Sequence, residues 1–575
     1  MNIVGKSMTG EDKNHIISED YADLLFDYVD PQAIKQQFED VYIQPINFLL
    51  SVVHVPVRYI TNNTIMELGY AAMPSCFGLV SQSSLEASGI NKLRNIPHFN
   101  LRGQGVLIGI IDTGIDYTNP VFRNADGTTR ITALWDQTIV SNNAPEGLFY
   151  GTEYTKDQIN LALQNANPLS IVPSTDTIGH GTMVAGIAAG NEDPKNNFYG
   201  IATDAEFVIV KLKPAKKYLR DFFLIPENAV CYQENDIIYA IEYLLHVFNR
   251  LNKPMSICIA IDTSQGAHDG RSHLSSFVSL IASIEGIGVT VSAGNEGNTR
   301  RHYYAKTDKT TRLNTVELNV GENEAGFSME LWGQRPSIFS VEIQSPSGET
   351  ISRIPAGKDL TRDITFVFEP TIIHLDYQMV ESQSGDQLIL FRFDKPVPGI
   401  WRINVYEYGD LNLGFHIWLP MEGFISDNTY FVRSDPYTTV LALGNTVVPI
   451  AVTAYNHVDD SLYISASKGF NRLNEVTPDI AAPGVDVIGP TPNKTFIQFT
   501  GTSVSAAHTS GVAALLLEWG IVRGNLSSMS TVEMKKLIIR GARRDVDKEY
   551  PNRDWGYGIL DIYNVFDSLR SGLVV

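Results

Sequence analysis

Gly105-Val106-Leu107-Ile108-Gly109-Ile110-Ile111-Asp112-Thr113-Gly114-Ile115-Asp116 is the stretch on which the reading of this chain turns. Its aliphatic run is too short for a helix, begins after a glycine and ends at Asp112-Thr113-Gly114. Such a run reads as a strand buried on both faces, the kind a parallel sheet requires. The same kind of run returns at residues 205–212, 255–261, 288–292 and 448–454, and helical patterns lie between at 183–189, 236–248 and 275–285. The alternation predicts an α/β fold, a parallel sheet with helices on both faces.

The rhythm breaks between about residues 303 and 436. Short alternating stretches at 315–320, 327–332, 339–343, 364–368, 388–393 and 401–406 are separated by Gly, Pro, Asn or Ser. Strands at this spacing without helices predict an all-β sandwich or jelly roll. Because the βα pattern resumes afterwards, this is an inserted module. Residues 1–96 form a smaller, less regular unit, with a helical acidic start at 18–39 and an apolar stretch at 48–60. A chain of 575 residues exceeds one compact core. The expected division is 1–96, 97–302, 303–436 and 437–575, with the second and fourth parts making one catalytic domain.

Lys and Arg number 44 against 64 Asp and Glu, a formal charge of -20. Such a field opposes a sequence-independent grip on nucleic acid or an anionic membrane, so neither is an expected partner. Cys76, Cys231 and Cys258 are far apart, without Cys-x-x-Cys or a Cys/His ligand spacing. Residues 1–16 lack the apolar core of a secretory signal, and no apolar run is long enough for a membrane span. A reducing interior is the expected setting.

Three polar residues stand beside glycines at element ends: Asp112 after the opening strand, His180 in Gly179-His180-Gly181-Thr182, and Ser503 in Gly501-Thr502-Ser503-Val504-Ser505. Ligands of open α/β sheets bind beyond the carboxyl ends of the strands, where Asp112 stands. A serine hydroxyl becomes a nucleophile when a neighbouring base takes its proton, and a carboxylate that orients the base completes the set. Ser503 opens an apolar helix whose N-terminal dipole favours developing negative charge. Asn295, in Ala293-Gly294-Asn295-Glu296-Gly297 after the 288–292 strand, is a candidate oxyanion donor. Taken singly, Asp112 reads as a turn residue, His180 as a loop hydrogen-bonder and Ser503 as a helix cap. Their joint occurrence favours catalysis.

The blocks IIDTGID, GHGT, SAGNEG and GTSVSAAHTSGVAALL resemble the signature blocks of the subtilase family, in family order, and Thr477-Pro478-Asp479-Ile480-Ala481-Ala482-Pro483-Gly484 resembles the segment before its serine block. The β-rich insertion, with Ser264-Gln265-Gly266-Ala267-His268-Asp269-Gly270 and residues 516–524, resembles the clostridial-type subtilases, which include the Csp germination proteases of spores. The resemblance implies a serine endopeptidase acting through an acyl-enzyme, limited proteolysis or proprotein processing, an N-terminal prodomain, and a cytoplasmic or spore-internal location. It implies Asp112, His180 and Ser503 as triad, Asn295 at the oxyanion, and Ala260, Ile261, Asp262 and Gly294 along the substrate. No cofactor or metal is expected, and the partner is a protein or peptide substrate. Two departures stand out. Ala507 replaces a proline of the serine helix, and Ala260-Ile261-Asp262 replaces Ser-Leu-Gly, which is expected to narrow the cleft or put a carboxylate into it. The competing reading is a binding module of the same shape without turnover, whose mark would be a lost triad residue. None is lost.

Overall fold

The computed structural model describes residues 15–27, 29–46, 50–79, 99–357 and 360–571. Leu107–Asp112 lies inside a nine-stranded sheet. The strand order is Ser461–Leu462, Ile450–Asn456, Ile287–Ser292, Met255–Ile259, Leu107–Asp112, Glu206–Lys211, Ile131–Asp136 and Thr152–Thr155, with Ile480–Pro483 beside Ile450–Asn456. Pairing is parallel from Ile450–Asn456 through Ile131–Asp136 and antiparallel only against Thr152–Thr155 and Ser461–Leu462.

The continuous aliphatic run of the opening strand has a simple cause. Ile108 and Ile110 join one core with the helices His180–Ala189 and Thr502–Leu517. Leu107 and Ile111 join the core on the other face, with Glu234–Leu251 and His273–Ala282. Successive side chains of a strand point to opposite faces, so a sheet covered on both sides needs apolar residues at every position. Each fully buried aliphatic side chain stabilises the fold by roughly 1.5–3 kcal/mol relative to exposure.

The inserted segment is a sandwich of two antiparallel sheets. One has the order His302–Ala305, Phe415–Trp418, Gly326–Gly333, Gln387–Asp394, Ile372–Gln378, Leu360–Thr365. The other has the order Thr350–Ile354, Ile338–Gln344, Gly399–Tyr408, Leu313–Val320, Tyr430–Phe431. Val316, Leu331, Phe339, Phe391, Trp401 and Ile417 share the core between them. The strand expected at 364–368 ends at Thr365. Ahead of Pro370, Val367 and Phe368 turn outward, and both backbone N–H groups donate to the Glu349 carboxylate.

The N-terminal unit corrects a second expectation. Residues 18–39 are not one helix: Tyr21–Asp27 is a strand of a three-stranded sheet with Leu50–Pro56 and Tyr42–Pro45, and only Pro31–Gln37 is helical. The strand buries Asp23. Lys216 Nζ and His54 Nδ1 each lie 2.7 Å from Asp23 Oδ1, and Gln233 Nε2 donates to Oδ2 at 2.6 Å. Burial alone would raise the Asp23 pKa, but the Lys216 ammonium and the His54 imidazole hold it well below the usual carboxylate range.

Candidate active site

Asp112 is the last residue of its strand, and its carboxylate accepts the backbone N–H of Thr113 at 2.7 Å. His180 is the first residue of its helix, and its Nδ1 lies 2.8 and 2.9 Å from the two carboxylate oxygens of Asp112. A carboxylate can only accept, so Nδ1 carries the proton and Nε2 becomes the basic end. That end lies 3.3 Å from Ser503 Oγ. Ser503 falls in the first turn of the Thr502–Leu517 helix. All three side chains are buried. Gly181 allows the approach: a Cβ there would lie 3.1 Å from Asp112 Cβ.

The alignment rests on a residue that sequence reasoning missed. Asp176 Oδ2 accepts the backbone N–H and the hydroxyl of Thr182 at 2.9 and 2.7 Å, while its Oδ1 accepts Gly179 N at 2.7 Å and Thr113 Oγ1 at 2.8 Å. The Thr113 hydroxyl also accepts Gly181 N at 2.8 Å. One buried carboxylate thus binds the turn after Asp112 to the N-terminus of the histidine helix. An acid four residues before His180, ahead of a helix start, was the available signal.

Asn295 is joined to the nucleophile through Thr502. Its Oδ1 accepts the Thr502 N–H at 3.2 Å and the Thr502 hydroxyl at 3.3 Å, and that same hydroxyl accepts Gly294 N at 3.0 Å. These donors identify the oxygen end of the amide and fix its plane one residue before Ser503.

Asp262 does not put a carboxylate into a cleft. Its side chain is fully buried and accepts the backbone N–H groups of Thr263 at 2.8 Å, Leu443 at 2.9 Å and Gly444 at 3.3 Å. It caps the turn Leu443–Asn445, and burial raises its pKa to about 7 against those three donors. The backbone of Ile261–Asp262 is engaged on its outer side: Ile261 pairs with Leu79 and Asp262 with Gly78, antiparallel. On the far side Cys76 and Phe77 pair with Gln233 and Tyr232. Cys76–Leu79 is therefore the middle strand between Ile261–Asp262 and Tyr232–Gln233, and sequence reasoning did not foresee it.

His268 has Val440 O and Ser264 O at 2.8 and 2.9 Å from its ring nitrogens, Asp116 accepts from Thr118, and His508 is buried in the serine helix. Among the described residues no group of three or more His, Cys, Asp or Glu side chains is placed to hold a metal ion, and no helix is long and apolar enough to cross a membrane.

A hydroxyl, an imidazole with its basic nitrogen toward that hydroxyl, and a carboxylate on the opposite ring nitrogen can carry out nucleophilic acyl transfer. The sequence model of the subtilase family matches residues 103–328 and 433–558, more than half of the chain. The solved CspB protease of Clostridium perfringens superposes with a TM-score of 0.74 at 29% identity, covering 84% of this chain and 98% of that one. Two Arabidopsis thaliana subtilisin-like proteases, SBT3.6 and SBT3.15, are each 23% identical over 74% and 80% of this chain. The chain spans 57% and 60% of their respective lengths.

Proposed function

The chain belongs to the subtilase family, and on that premise we propose that it is a serine endopeptidase whose triad is Asp112, His180 and Ser503. The observation that carries the reading is the 3.3 Å approach of Ser503 Oγ to His180 Nε2 while Asp112 holds the opposite ring nitrogen. Ser503 Oγ attacks the peptide carbonyl carbon as His180 Nε2 takes its proton, and Asp112 stabilises the imidazolium that forms. The Asn295 amide and the Ser503 backbone N–H are assigned to the oxyanion. His180 then returns the proton to the leaving amine, and water, deprotonated by the same imidazole, releases the acyl group from Ser503.

Residues 1–96 act in this reading as a prodomain, with Cys76–Leu79 lying along Ile261–Asp262 as a substrate chain would. The backbone of Ala260, Ile261 and Asp262, with Gly294 at the adjoining loop, is assigned to substrate binding. The maturation cut is assigned between residues 60 and 102; residues 80–98 of that interval lie outside the described residues. Limited proteolysis of protein substrates, in the cytoplasm or within a spore, is the expected role.

The test is direct. Wild-type protein is expected to self-cleave near its N-terminal unit, to react with a fluorophosphonate probe and to hydrolyse an unfolded protein, and Ser503→Ala is expected to do none of these. A folded wild type that neither labels nor cleaves at neutral pH would favour the binding-module reading.

A further inference from the structure

The Cys76–Leu79 strand is enclosed by two different bodies. Its edges are held by the catalytic domain through strand pairing with Ile261–Asp262 and Tyr232–Gln233. Two side-chain acceptors add to this: Ser75 N donates to Glu234 Oε2 at 3.0 Å and Cys76 N to Gln265 Oε1 at 2.7 Å. Its faces differ. Phe77 and Leu79 belong to the apolar cluster of the catalytic domain that includes Tyr232, Ile237, Ile261 and Leu274. Cys76 belongs instead to the cluster that contains Trp332, Met421 and Phe424 of the inserted module. Gly78 faces the same way: a Cβ there would lie 3.1 Å from Met421 Sδ, 3.2 Å from Met421 Cε and 3.4 Å from Phe424 Cε1. Gly78 is not among the positive-φ positions, so backbone conformation does not demand glycine. The wall above it favours a small residue.

From this geometry we infer that the inserted β module is the second wall of the substrate cleft, with Met421 and Phe424 as specificity-determining residues. The enzyme then takes an extended segment in which small residues alternate with large apolar ones, as in Cys76-Phe77-Gly78-Leu79. This rests on the endopeptidase reading and names its substrate class. A strand presents alternate side chains to opposite faces, so one face meets the apolar catalytic pocket and the other meets Met421 and Phe424. Alanine at the Gly78 position needs only a small shift of the flexible Met421 thioether. A β-branched or longer residue must displace both Met421 and Phe424. Strand addition to a sheet edge supplies affinity through the backbone, leaving selection to such pockets and walls.

The experiment gives self-matured enzyme, washed free of the N-terminal fragment that carries Cys76–Leu79, a denatured protein mixture and maps the new N-termini. Glycine or alanine is expected at one fixed distance before the cut, flanked by large apolar residues, and preferred there over valine by about tenfold or more, the scale of a steric discrimination of one or two methyl groups. Met421→Ala and, independently, Phe424→Leu should relax that small-residue selection while keeping the flanking apolar preference. Within the chain, Gly78→Val should slow self-cleavage, and adding Met421→Ala should restore it. Cuts with no small-residue preference, or variants with the wild-type profile, overturn the inference while leaving the endopeptidase reading intact. An enzyme that labels with fluorophosphonate but makes no cuts in extended chains also overturns it. Absence of both labelling and cleavage removes the endopeptidase reading and this inference together.

Discussion

Asn295→Ala leaves the proposed triad of Ser503, His180 and Asp112 in place and removes one donor assigned to the oxyanion. Turnover is expected to fall by about 10²- to 10³-fold with little change in KM; that range was established on a subtilisin and is carried over to this family member. Steady-state kinetics on a peptide substrate checks it, and a raised KM with unchanged turnover would move Asn295 from the transition state to ground-state binding. Asp262 predicts a different signature. Asp262→Asn puts an NH₂ group among backbone donors that need an acceptor, so about 1–3 kcal/mol of stability is expected to be lost in urea unfolding. The proximity of Asp112, His180 and Ser503 was legible because all three stand at strand or helix ends, and those ends carry glycine-bounded motifs. The inward turn of Asp262 was not, because its partners, Leu443 and Gly444, are distant in sequence and offer only backbone N–H groups.

Where the catalytic domain meets the inserted sandwich, a loop and two paired strands bring aromatic rings into a buried stack. His268 lies 4.1 Å from Trp418, His302 lies 4.9 Å from Trp418, and His416 lies 5.0 Å from it, all stacked. His302 Nε2 and His416 Nδ1 are 2.9 Å apart. Burial pushes the pKa of His268 down to about 4 and that of His302 to about 3, and it holds His416 well below the ordinary value, with the neighbouring His302 and Arg472 adding to the effect. The folded state thus keeps His302 and His416 neutral where the unfolded chain protonates them, below about pH 6.5. Their contribution to stability is complete above that pH and declines as pH falls toward 4, by up to about 1.4 kcal/mol per pH unit for each ring. Urea midpoints across this range should show the decline, and His416→Phe should flatten it by about one proton; an unchanged slope would mean that the stack does not titrate on unfolding. Continuous aliphatic strands such as Leu107–Asp112 were legible at this level because burial on both faces leaves a plain pattern. Tyr21–Asp27 was misread because a strand carrying Asp23 looks solvated until Lys216 and His54 arrive from elsewhere. Cys76–Leu79 was overlooked because both edges that pair with it come from segments far along the chain.

The three units of the chain meet at a single carboxylate. Glu330 of the sandwich accepts Tyr70 Oη of the N-terminal unit at 2.5 Å, the backbone N–H of Gly266 in the catalytic domain at 2.9 Å, and Trp332 Nε1 of its own sheet at 3.0 Å. Nearby, Gln378 joins the sandwich to the N-terminal unit twice, accepting Tyr70 N at 3.2 Å and donating to Ile65 O at 3.0 Å. An apolar cluster common to all three bodies surrounds these bonds, with Val53, Leu219, Phe222, Leu388 and Trp418 among its members. A cut downstream of Leu79 severs the chain but none of these contacts, so the N-terminal fragment should remain bound after self-cleavage and co-elute in size-exclusion chromatography. Removing Glu330 leaves a tyrosine hydroxyl, an indole N–H and a backbone N–H in buried surroundings without their acceptor, each worth about 1–3 kcal/mol. Glu330→Ala in self-cleaved protein is therefore expected to speed fragment dissociation by at least about tenfold, since about 1.4 kcal/mol corresponds to a factor of ten. Tyr70→Phe removes only one of the three bonds and should have a smaller effect in the same direction. Surface-immobilised cleaved enzyme, washed and followed for loss of the fragment, separates the outcomes. Rapid loss from wild type would mean that the sandwich does not retain the fragment, and equal retention by Glu330→Ala would leave that task to the apolar cluster alone.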